Sequence, residues 1–350
     1  MNLRIQQLIS RFKEHTIDAF LVTKDVNIQY LTGFPASESW LLVSLARAFY
    51  ITDFRYVWEA RRALKAVTVK PYAVSSTKTL FELTSLLRVK RMGFDDRQVS
   101  LSVFKQLKKD CPQAVRLIST ENLVEELREI KSPDEINRIK KALVVHAAAY
   151  RFLKKNIRPG VTEKYLLKKL ENFVRAKDAL FSFPPIIASG PNSCFPHAKV
   201  TDRRLRNNEP VLIDMGIDLN GYKSDLTRMV FLGRIPRFLR EVNDFVRRAQ
   251  ALAVKKVRSG VWARDVDAAA RNYLTQNRLG KFFGHSLGHG VGLEIHEAPS
   301  ISQRNSSLLK EGMIVTIEPA VYIPNKFGIR IEDMVLVTSR GCEVLSGDIH

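Results

Sequence analysis

The sequence predicts an α+β protein of two domains, and three observations support this fold class. The chain of 350 residues is about twice as long as a typical domain. Residues 1–125 alternate short apolar runs with helical stretches, whereas residues 126–350 carry longer helices and two pairs of strands rich in β-branched residues. Apolar residues make up 45% of the chain and charged residues 26%, which is a globular composition.

Residues 1–125 are predicted to form an α/β layer. Helical stretches at residues 54–64 and 79–88 separate apolar runs that have the length and composition of buried strands. The predicted strands cover residues 19–23, 41–45, 48–51, 67–69 and 92–94. This alternation is the pattern of helices packed on a sheet.

The second domain is predicted to cover residues 126–350. The segment SPDE at residues 132–135 has the features of a helix start, with serine at the N-cap, proline at the first helical position and glutamate three residues after the serine. The predicted helices cover residues 133–156, 162–177, 237–257 and 263–277. Each of the two strand pairs follows a helical region, which suggests an internal duplication.

Charge and cysteine content exclude several classes of protein. The net charge of +20 is spread evenly, because residues 1–125 carry 19 basic and 12 acidic side chains and residues 126–350 carry 37 and 24. Since there is no basic tail or block, we predict no nucleic-acid partner. The sequence contains no apolar run long enough for a membrane span, and residues 1–15 lack the apolar core of a signal peptide. Three scattered cysteines exclude a disulfide framework and favour a cytoplasmic location.

Two carboxylates, Asp214 and Asp225, lie in the first predicted strand pair. If the turn of this hairpin is centred between Leu219 and Asn220, the two aspartates face each other across the strands. If Asn220 and Gly221 themselves form a two-residue turn, the register moves by two residues and separates them. The sequence leaves both registers open.

The second strand pair carries Glu318 and Glu332, and a turn centred on Asn325 places these glutamates opposite each other. Facing carboxylates within apolar strands are destabilising unless something compensates their charge. Pairing with Arg228, Arg330 or a lysine explains one such pair. Two pairs are explained more simply by divalent cations, which gather several carboxylates.

Four histidines add to this prediction. Of the seven in the chain, His285, His289 and His296 lie within twelve residues among several glycines, and His197 follows a loop rich in glycine and proline. Four carboxylates and one imidazole suit two divalent cations a few ångströms apart, because four negative charges balance two dications. Manganese, cobalt, iron and zinc are all compatible with this set of ligands.

The segments that carry these residues resemble the pita-bread metallopeptidases. They are IDMGIDLNGYKSDLTR, HSLGHGVGLEIHEAP, TIEPAVY and GIRIEDMVLVT. NIQYLTGF at residues 27–34 and EIKSPDEINRIKKA at residues 129–142 resemble the Xaa-Pro aminopeptidase and prolidase branch. The resemblance implies a creatinase-type N-terminal domain and a pita-bread catalytic domain, in which helices cover an antiparallel sheet with internal pseudo-duplication.

The resemblance also implies a role for each predicted ligand. Asp214 would hold one metal ion, and Asp225 and Glu332 would bridge both ions. His289 and Glu318 would complete the second ion, and Glu318 would also shuttle a proton. We expect two divalent ions, manganese first, with cobalt, zinc or iron as alternatives. The complete ligand set weighs against a non-catalytic binding protein on the same fold.

The substrate follows from the same resemblance. His197 and His296 match histidines that hydrogen-bond the peptide and stabilise the developing oxyanion, and His285 matches another histidine near the substrate of the proline-specific branch. This implies hydrolysis of peptides with proline in second position. Prolidases often carry an arginine at the position of Ser300, so its absence favours an aminopeptidase over a dipeptide-specific prolidase. The resemblance further implies a homodimer.

Overall fold

The computed structural model describes residues 2–349. By its internal contacts the chain divides into two compact units, of which the first ends at Arg128 and the second begins at Glu129. None of the helices in the described part of the chain combines the length and apolarity needed to cross a membrane.

The first unit is a six-stranded mixed sheet with helices. Its strands are β1 (Ala19–Val22), β2 (Trp40–Ser44), β3 (Ala48–Thr52), β4 (Thr68–Pro71), β5 (Arg91–Asp95) and β6 (Arg116–Thr120). Its helices are α1 (Leu3–Ser10), α2 (Asp25–Thr32), α3 (Val57–Ala63), α4 (Ser76–Leu86), α5 (Leu101–Asp110) and α6 (Leu123–Glu129), of which the last residue belongs to the second unit. The strand order is β4-β3-β2-β1-β5-β6, and β1 pairs antiparallel with β2 but parallel with β5. The five predicted strands are present, whereas β6 is largely unburied and its sequence RLIST gives no strong strand signal.

The helices of the second unit agree with the sequence prediction. They are α7 (Pro133–Asn156), α8 (Glu163–Arg175), α9 (Arg237–Lys256) and α10 (Ala263–Gln276). The predicted start of α7 is a capping box: the Ser132 hydroxyl accepts from the amide of Glu135, and the Glu135 carboxylate accepts from the amide of Ser132 at 2.9 Å.

The strands of the second unit form three groups. They are β7 (Leu180–Phe181), β8 (Ile186–Ser189), β9 (Glu209–Leu219), β10 (Tyr222–Leu232), β11 (Gly288–Gly290), β12 (Glu297–Ile301), β13 (Ile314–Ile317), β14 (Ala320–Ile323), β15 (Phe327–Arg330), β16 (Asp333–Val337) and β17 (Cys342–Val344). One sheet has the order β10-β9-β7 with β8 also paired to β9, a second has the order β12-β11-β13-β16-β17, and β14 pairs with β15. Apolar faces of α9 and α10 form one core with β13 to β16.

The hairpin of β9 and β10 decides between the two registers that the sequence left open. Thr227 lies opposite Asp214, and Asp225 lies opposite Gly216, so the face-to-face pairing of Asp214 with Asp225 is wrong. The physical reason is the Asn220-Gly221 turn, in which both residues have positive φ, 53° and 89°, as a two-residue type I′ turn requires. The two aspartates lie diagonally on the same face, so they remain neighbours.

The second strand pair keeps the predicted register but is not continuous. Ile317 pairs with Asp333 in one sheet, and Ala320 pairs with Arg330 in the separate β14–β15 ladder. Glu318 and Glu332 therefore lie where one ladder ends and the other begins. This break lets two acidic side chains leave the apolar strands together.

Internal duplication is visible in the loops that join the paired helices. The amide of Gly160, between α7 and α8, donates to the carbonyl of Leu205 at 2.9 Å. The amide of Gly260, between α9 and α10, donates to the carbonyl of Leu309 at the same distance. Each half of the second unit is thus a helix pair followed along the chain by a strand region that carries predicted metal ligands, two in the first half and three in the second.

Candidate active site

A cavity of about 1390 Å³ in the second unit brings together every predicted site residue. The residues that line it include Asp214, Asp225, His289, Glu318, Glu332, His197, His285 and His296. They come from two hairpins and two loops that are far apart in sequence, so it is the fold that collects them. Ligand cavities commonly measure about 300–1,000 Å³, and this one is large enough for a peptide.

The centre of the site is formed by Asp225, His289 and Glu332. One ligand atom from each lies within 4.8 Å of the others. The Nε2 atom of His289 is 3.5 Å from Asp225 Oδ2 and 3.4 Å from Glu318 Oε1. A small cation placed among these atoms would reach all of them. Close backbone packing makes this possible, because a Cβ at Gly288 would lie 1.9 Å from the carbonyl oxygen of Thr316.

The protonation of His289 indicates that its Nε2 atom is a ligand atom. Its Nδ1 atom lies 3.0 Å from the carbonyl oxygen of Gly290, which can only accept, so Nδ1 carries the proton. Burial lowers the pKa of His289 to about 4, so the ring is neutral near pH 7 and Nε2 presents a lone pair. This lone pair faces two carboxylate oxygens that also accept. Three acceptors that converge in this way fit a bound cation.

The carboxylates give the same indication through their pKa values. Burial, followed by the neighbouring carboxylates Glu332, Asp214 and Glu318, raises the pKa of Asp225 well above its usual range. Burial likewise raises the pKa of Glu332, and the pKa of Glu318 to about 8. Without added positive charge Glu318 holds a proton at neutral pH, and Asp225 and Glu332 keep theirs to a higher pH than usual. A divalent cation would let them ionise.

Arg330 supplies part of that positive charge. It forms an ion pair with Asp214 through Oδ2, and its pKa is raised mainly by that carboxylate against the effect of burial. This is one of the pairings considered from the sequence, whereas Arg228 pairs with Asp333 and with the carbonyl of Glu332. Asp214 Oδ1 and Asp225 Oδ1 are buried and have no hydrogen-bond partner among residues 2–349. Two unpaired buried oxygens on neighbouring aspartates fit a bound cation.

A hydrogen-bond network extends from Arg330 to His285. Arg330 donates to the Tyr322 hydroxyl, which lies 3.4 Å from His285 Nε2. The Nδ1 atom of His285 lies 2.7 Å from the carbonyl oxygen of Ser286 and must donate to it. The neutral ring therefore has its lone pair at Nε2, which accepts a hydrogen bond from the Tyr322 hydroxyl. Burial lowers the pKa of His285 to about 4, which keeps the ring neutral. The network links the acid cluster to a histidine predicted to contact substrate.

Sequence reasoning did not identify Thr227 and Tyr322. Thr227 donates to Glu332 Oε2 at 2.8 Å and accepts from Arg330 Nε at 3.1 Å, so it holds both side chains. Its position two residues after Asp225 on the same face of β10 is the signal that could have identified it. Tyr322 gives a weaker signal, because it resembles any buried aromatic residue in a strand.

The remaining predicted residues lie on the walls of the cavity. The ring of His296 is 4.3 Å from the ring of His289, almost perpendicular to it. His197 and Ser300 also line the cavity, together with the basic side chains Lys199 and Lys281. Apolar wall residues include Leu167, Phe183, Pro184, Ile186 and Phe282. The cavity therefore combines an acidic floor with apolar and basic walls.

Comparison with family models identifies the class of protein that this fold and site define. The model described as metallopeptidase family M24 matches residues 137–339, and the model described as the creatinase/prolidase N-terminal domain matches residues 4–130. The chain belongs to metallopeptidase family M24 and is a metal-dependent hydrolase. The predicted family and the predicted fold class, pita-bread with a creatinase-type N-terminal domain, are confirmed.

Individual relatives match over nearly the whole chain. The Xaa-Pro dipeptidase of Pyrococcus furiosus is 34% identical over 99% of this chain and 98% of its own length. The solved structure of an Xaa-Pro dipeptidase from Bacillus anthracis superposes with a TM-score of 0.94 at 36% identity, covering 99% of this chain and 97% of the other. That of an X-Pro aminopeptidase from Thermotoga maritima gives 0.89 at 34% identity, covering 98% and 97%.

Proposed function

We propose that this protein is an Xaa-Pro aminopeptidase, which releases the N-terminal residue from peptides with proline in second position. The observation that carries the proposal is the convergence of four carboxylates and the His289 lone pair at the floor of a peptide-sized cavity. The names of the relatives, Xaa-Pro dipeptidase and X-Pro aminopeptidase, supply the proline preference. The chemistry is hydrolysis of the first peptide bond.

Two divalent cations are part of the proposal, manganese first. Asp214 would hold one ion, Asp225 and Glu332 would bridge both, and His289 and Glu318 would complete the second. When bound, such ions polarise a carbonyl and lower the pKa of water, which is the chemistry that amide hydrolysis needs. Oxygen ligands with one imidazole suit manganese, cobalt, iron or zinc.

Glu318 is the side chain proposed to move the proton. Its Oε1 atom accepts a hydrogen bond from Thr316 at 3.3 Å, which orients the carboxyl group towards His289. A carboxylate in this position can take a proton from the attacking water and release it to the nitrogen of the leaving group.

The histidines are proposed to bind the peptide. Burial lowers the pKa of His296, so its ring stays neutral and can donate one hydrogen bond to the scissile carbonyl oxygen as charge develops there. His197 and His285 lie in the same cavity and would contact the substrate backbone. A proline nitrogen in a peptide bond carries no hydrogen. The proline ring can therefore pack against apolar wall residues such as Phe183 without leaving a buried N–H group unpaired.

Two observations support longer peptides over dipeptides. Ser300 lines the cavity and offers a hydroxyl without positive charge, so it cannot form the bidentate ion pair that an arginine makes with a dipeptide's carboxylate. The cavity of about 1390 Å³ also has room for a peptide longer than two residues. A longer peptide places its terminal carboxylate away from the acidic floor.

The alternative is an Xaa-Pro dipeptidase, a prolidase. It is favoured by Lys199 and Lys281, which line the same cavity and could hold the carboxylate of a dipeptide in place of an arginine. Dipeptidases are also among the relatives named above. Both activities use the same acid cluster, so they differ only in where the carboxyl end of the substrate binds.

A hydrolysis panel separates these functions. We expect kcat/KM for Ala-Pro-Ala and for its C-terminal amide to exceed that for Ala-Pro at least about 10-fold, with manganese present and at low salt, because one charge-assisted contact is worth about a factor of ten. Faster cleavage of Ala-Pro would establish the prolidase instead. Cleavage of Met-Ala-Ser with no requirement for proline would exclude both, and loss of all activity on metal removal is the common control.

The proposal also includes a cytoplasmic homodimer without nucleic-acid or membrane partners. Three unpaired cysteines, Cys111, Cys194 and Cys342, support the location, and the even spread of charge supports the absence of a nucleic-acid partner. The homodimer is proposed from the resemblance to the family. Sedimentation of the purified protein tests the dimer.

A further inference from the structure

The segment of residues 283–287, here called the His285 loop, carries a proposed substrate-binding histidine without belonging to a regular strand. It follows a short helical turn and precedes β11. A loop with so little secondary structure needs other contacts to hold one side chain in place. Backbone hydrogen bonds to Ile301 and Glu318 hold its last residue, Leu287, and a buried ion pair on α10 supplies further contacts along the loop.

The ion pair is formed by Asp267 and Arg271, one helical turn apart. Arg271 Nε lies 2.7 Å from Asp267 Oδ2, and Arg271 Nη2 lies 2.8 Å from Asp267 Oδ1, so the contact is bidentate. The Asp267 side chain is fully buried, and that of Arg271 is 15% exposed. This pair is therefore unlike a surface i,i+4 pair, which both partners expose to water.

The remaining hydrogen-bonding capacity of the pair goes to the His285 loop. Arg271 Nη1 donates to the carbonyl of Phe283 at 2.9 Å, and Nη2 donates to the carbonyl of His285 at 2.8 Å. The amide of Leu287 is shared between the carbonyl of Ile301 at 2.8 Å and Asp267 Oδ1 at 3.2 Å. The charged pair thus binds backbone groups at the start and middle of the loop, and shares the end of the loop with the neighbouring strand.

Ring contacts continue this fixation to the imidazole itself. The Arg271 guanidinium lies 4.2 Å from the centre of the Phe283 ring. The Phe283 ring meets the His285 ring edge-on, with centroids 5.1 Å apart and planes at 89°. On its other side, His285 contacts the Tyr322 hydroxyl. The His285 ring is therefore held from two sides, by the Phe283 ring and by the Tyr322 hydroxyl.

A role in stability alone does not account for this arrangement. Taking a charged pair out of water costs several kcal/mol per ion, so apolar side chains of similar volume often stabilise a fold as well. What apolar side chains cannot do is bind two carbonyls and one amide of a specific loop. The chemistry of Asp267 and Arg271 is suited to setting the position of the His285 loop.

We propose that the Asp267–Arg271 pair is a positioning clamp that sets the place of the His285 imidazole at the substrate. The clamp makes no contact with substrate and acts through His285. The inference rests on the proposed function, in which His285 contacts the peptide. Misplacing a catalytic or binding group by about 1 Å can cost a factor of about 100 in rate.

The first test measures the loop directly and needs no substrate. Arg271→Gln removes both the positive charge and the bidentate guanidinium group. Arg271→Lys loses the bidentate contact but keeps a positive charge beside the buried Asp267 carboxylate, so we expect this variant to fold. We expect faster amide exchange in residues 283–290 of both variants of the metal-loaded protein, without faster exchange in α9. The matched control is Arg237→Gln, which removes an exposed i,i+4 pair with Glu241 on α9. Unchanged exchange in residues 283–290 would overturn the clamp.

The second test is a double-mutant cycle on kcat/KM for Ala-Pro-Ala. Arg271→Lys should lower kcat/KM about 10-fold in the parent protein but less than about 2-fold in a His285→Ala background, because the clamp acts through that ring. An equal loss in both backgrounds would show that Arg271 acts elsewhere and would refute the proposal. Metal content and Tm are measured for each variant.

The two proposals fail in different ways. If the parent protein and Arg237→Gln do not cleave Xaa-Pro peptides, the proposed function is wrong, and the exchange experiment alone decides the clamp. If the parent cleaves them and the cycle is additive, the function stands and the clamp is wrong.

Discussion

The two halves of the catalytic unit hold their histidine loops with different chemistry. In the first half, the loop around His197 is held by Glu163 of α8, which contacts the loop directly, while Arg203 donates to its partner Ser189 at 2.6 Å. In the second half, the loop around His285 is held by Asp267 and Arg271 of α10 together. Both halves place a buried acid on the second helix of a pair.

The difference follows from what each loop offers. The first loop presents donors: the Glu163 carboxylate accepts from the amide and hydroxyl of Ser189, the amide and hydroxyl of Thr201, and the side chain of Asn192, at 2.7–3.0 Å. The His285 loop presents mainly carbonyls, which a carboxylate cannot bind. Arg271, which pairs with Asp267, supplies the N–H groups that bind these carbonyls. A duplicated framework can therefore carry two loops of opposite hydrogen-bonding character.

The largest expected effect comes from the carboxylates that both halves contribute. Asp225→Asn should lower kcat/KM by at least about 1,000-fold and remove at least one metal ion, because a proposed bridging charge is lost. His296→Ala in the same cavity should lower the rate but keep both ions, since it is proposed to touch substrate. Metal analysis beside turnover checks this. Metal loss in His296→Ala would mean that His296 binds metal, against its proposed role as a contact of the substrate.

Much of this site could be predicted from the sequence, and what could not has physical causes. The carboxylates are recognisable because acids within apolar strands need a counter-charge. Glu163 and Asp267 were not recognisable, because an acid on an amphipathic helix normally lies in water, and Arg271 four residues later suggests a surface pair. Burial of these helix positions is decided by loops that pack on them from a distance in sequence. Likewise, strand pairing predicted the Glu318–Glu332 register, but not the break that separates the ladders.

Breaking the first loop anchor is the next largest effect. Glu163→Gln replaces one acceptor oxygen by an NH₂ group that faces donors, so buried donors lose their partner at about 1–3 kcal/mol each. We expect a Tm lower by about 5–10 °C and kcat/KM lower by about 10-fold. The control is Glu171→Gln on the exposed face of the same helix, expected to be neutral. If Glu163→Gln is neutral too, the comparison between the halves fails.

The acid cluster predicts a pH effect that the two hairpins share. In metal-free protein the folded-state pKa of Glu318 is raised to about 8, and those of Asp225 and Glu332 are also raised. The unfolded chain releases these protons near pH 4, so the stability they contribute is present below that pH. It is lost as pH rises through the folded-state values.

We therefore expect the Tm of metal-free protein to fall by about 2–3 °C between pH 7.5 and 8.5, because Glu318 alone contributes up to about 1.4 kcal/mol per pH unit below its folded-state pKa. This window lies well above the ordinary histidine pKa, so the buried histidines, whose lowered pKa values act in the opposite direction, contribute little. Manganese should remove the fall, because bound cations keep the carboxylates ionised in the folded state. A metal-free Tm that rises across this window would contradict the assignment of the acid cluster.

The smallest expected effect tests the turn that sets the first hairpin's register. Gly221 has φ of 89°, a conformation that side chains other than glycine adopt at a cost of about 1–2 kcal/mol. Gly221→Ala should lower Tm by about 2–6 °C and leave metal content unchanged. The control is Gly341→Ala, because that glycine has no positive φ and an added Cβ meets no atom within 4 Å. The paired strands, and not the turn alone, are expected to maintain the register of this hairpin. Beyond the two residue pairs next to the turn, nine more pairs connect β9 and β10, and they should keep Asp214 and Asp225 diagonal even when the turn is strained.

Loss of metal in Gly221→Ala would mean that the turn maintains the register of the first hairpin. The second hairpin differs, because it keeps its register although its ladder is interrupted.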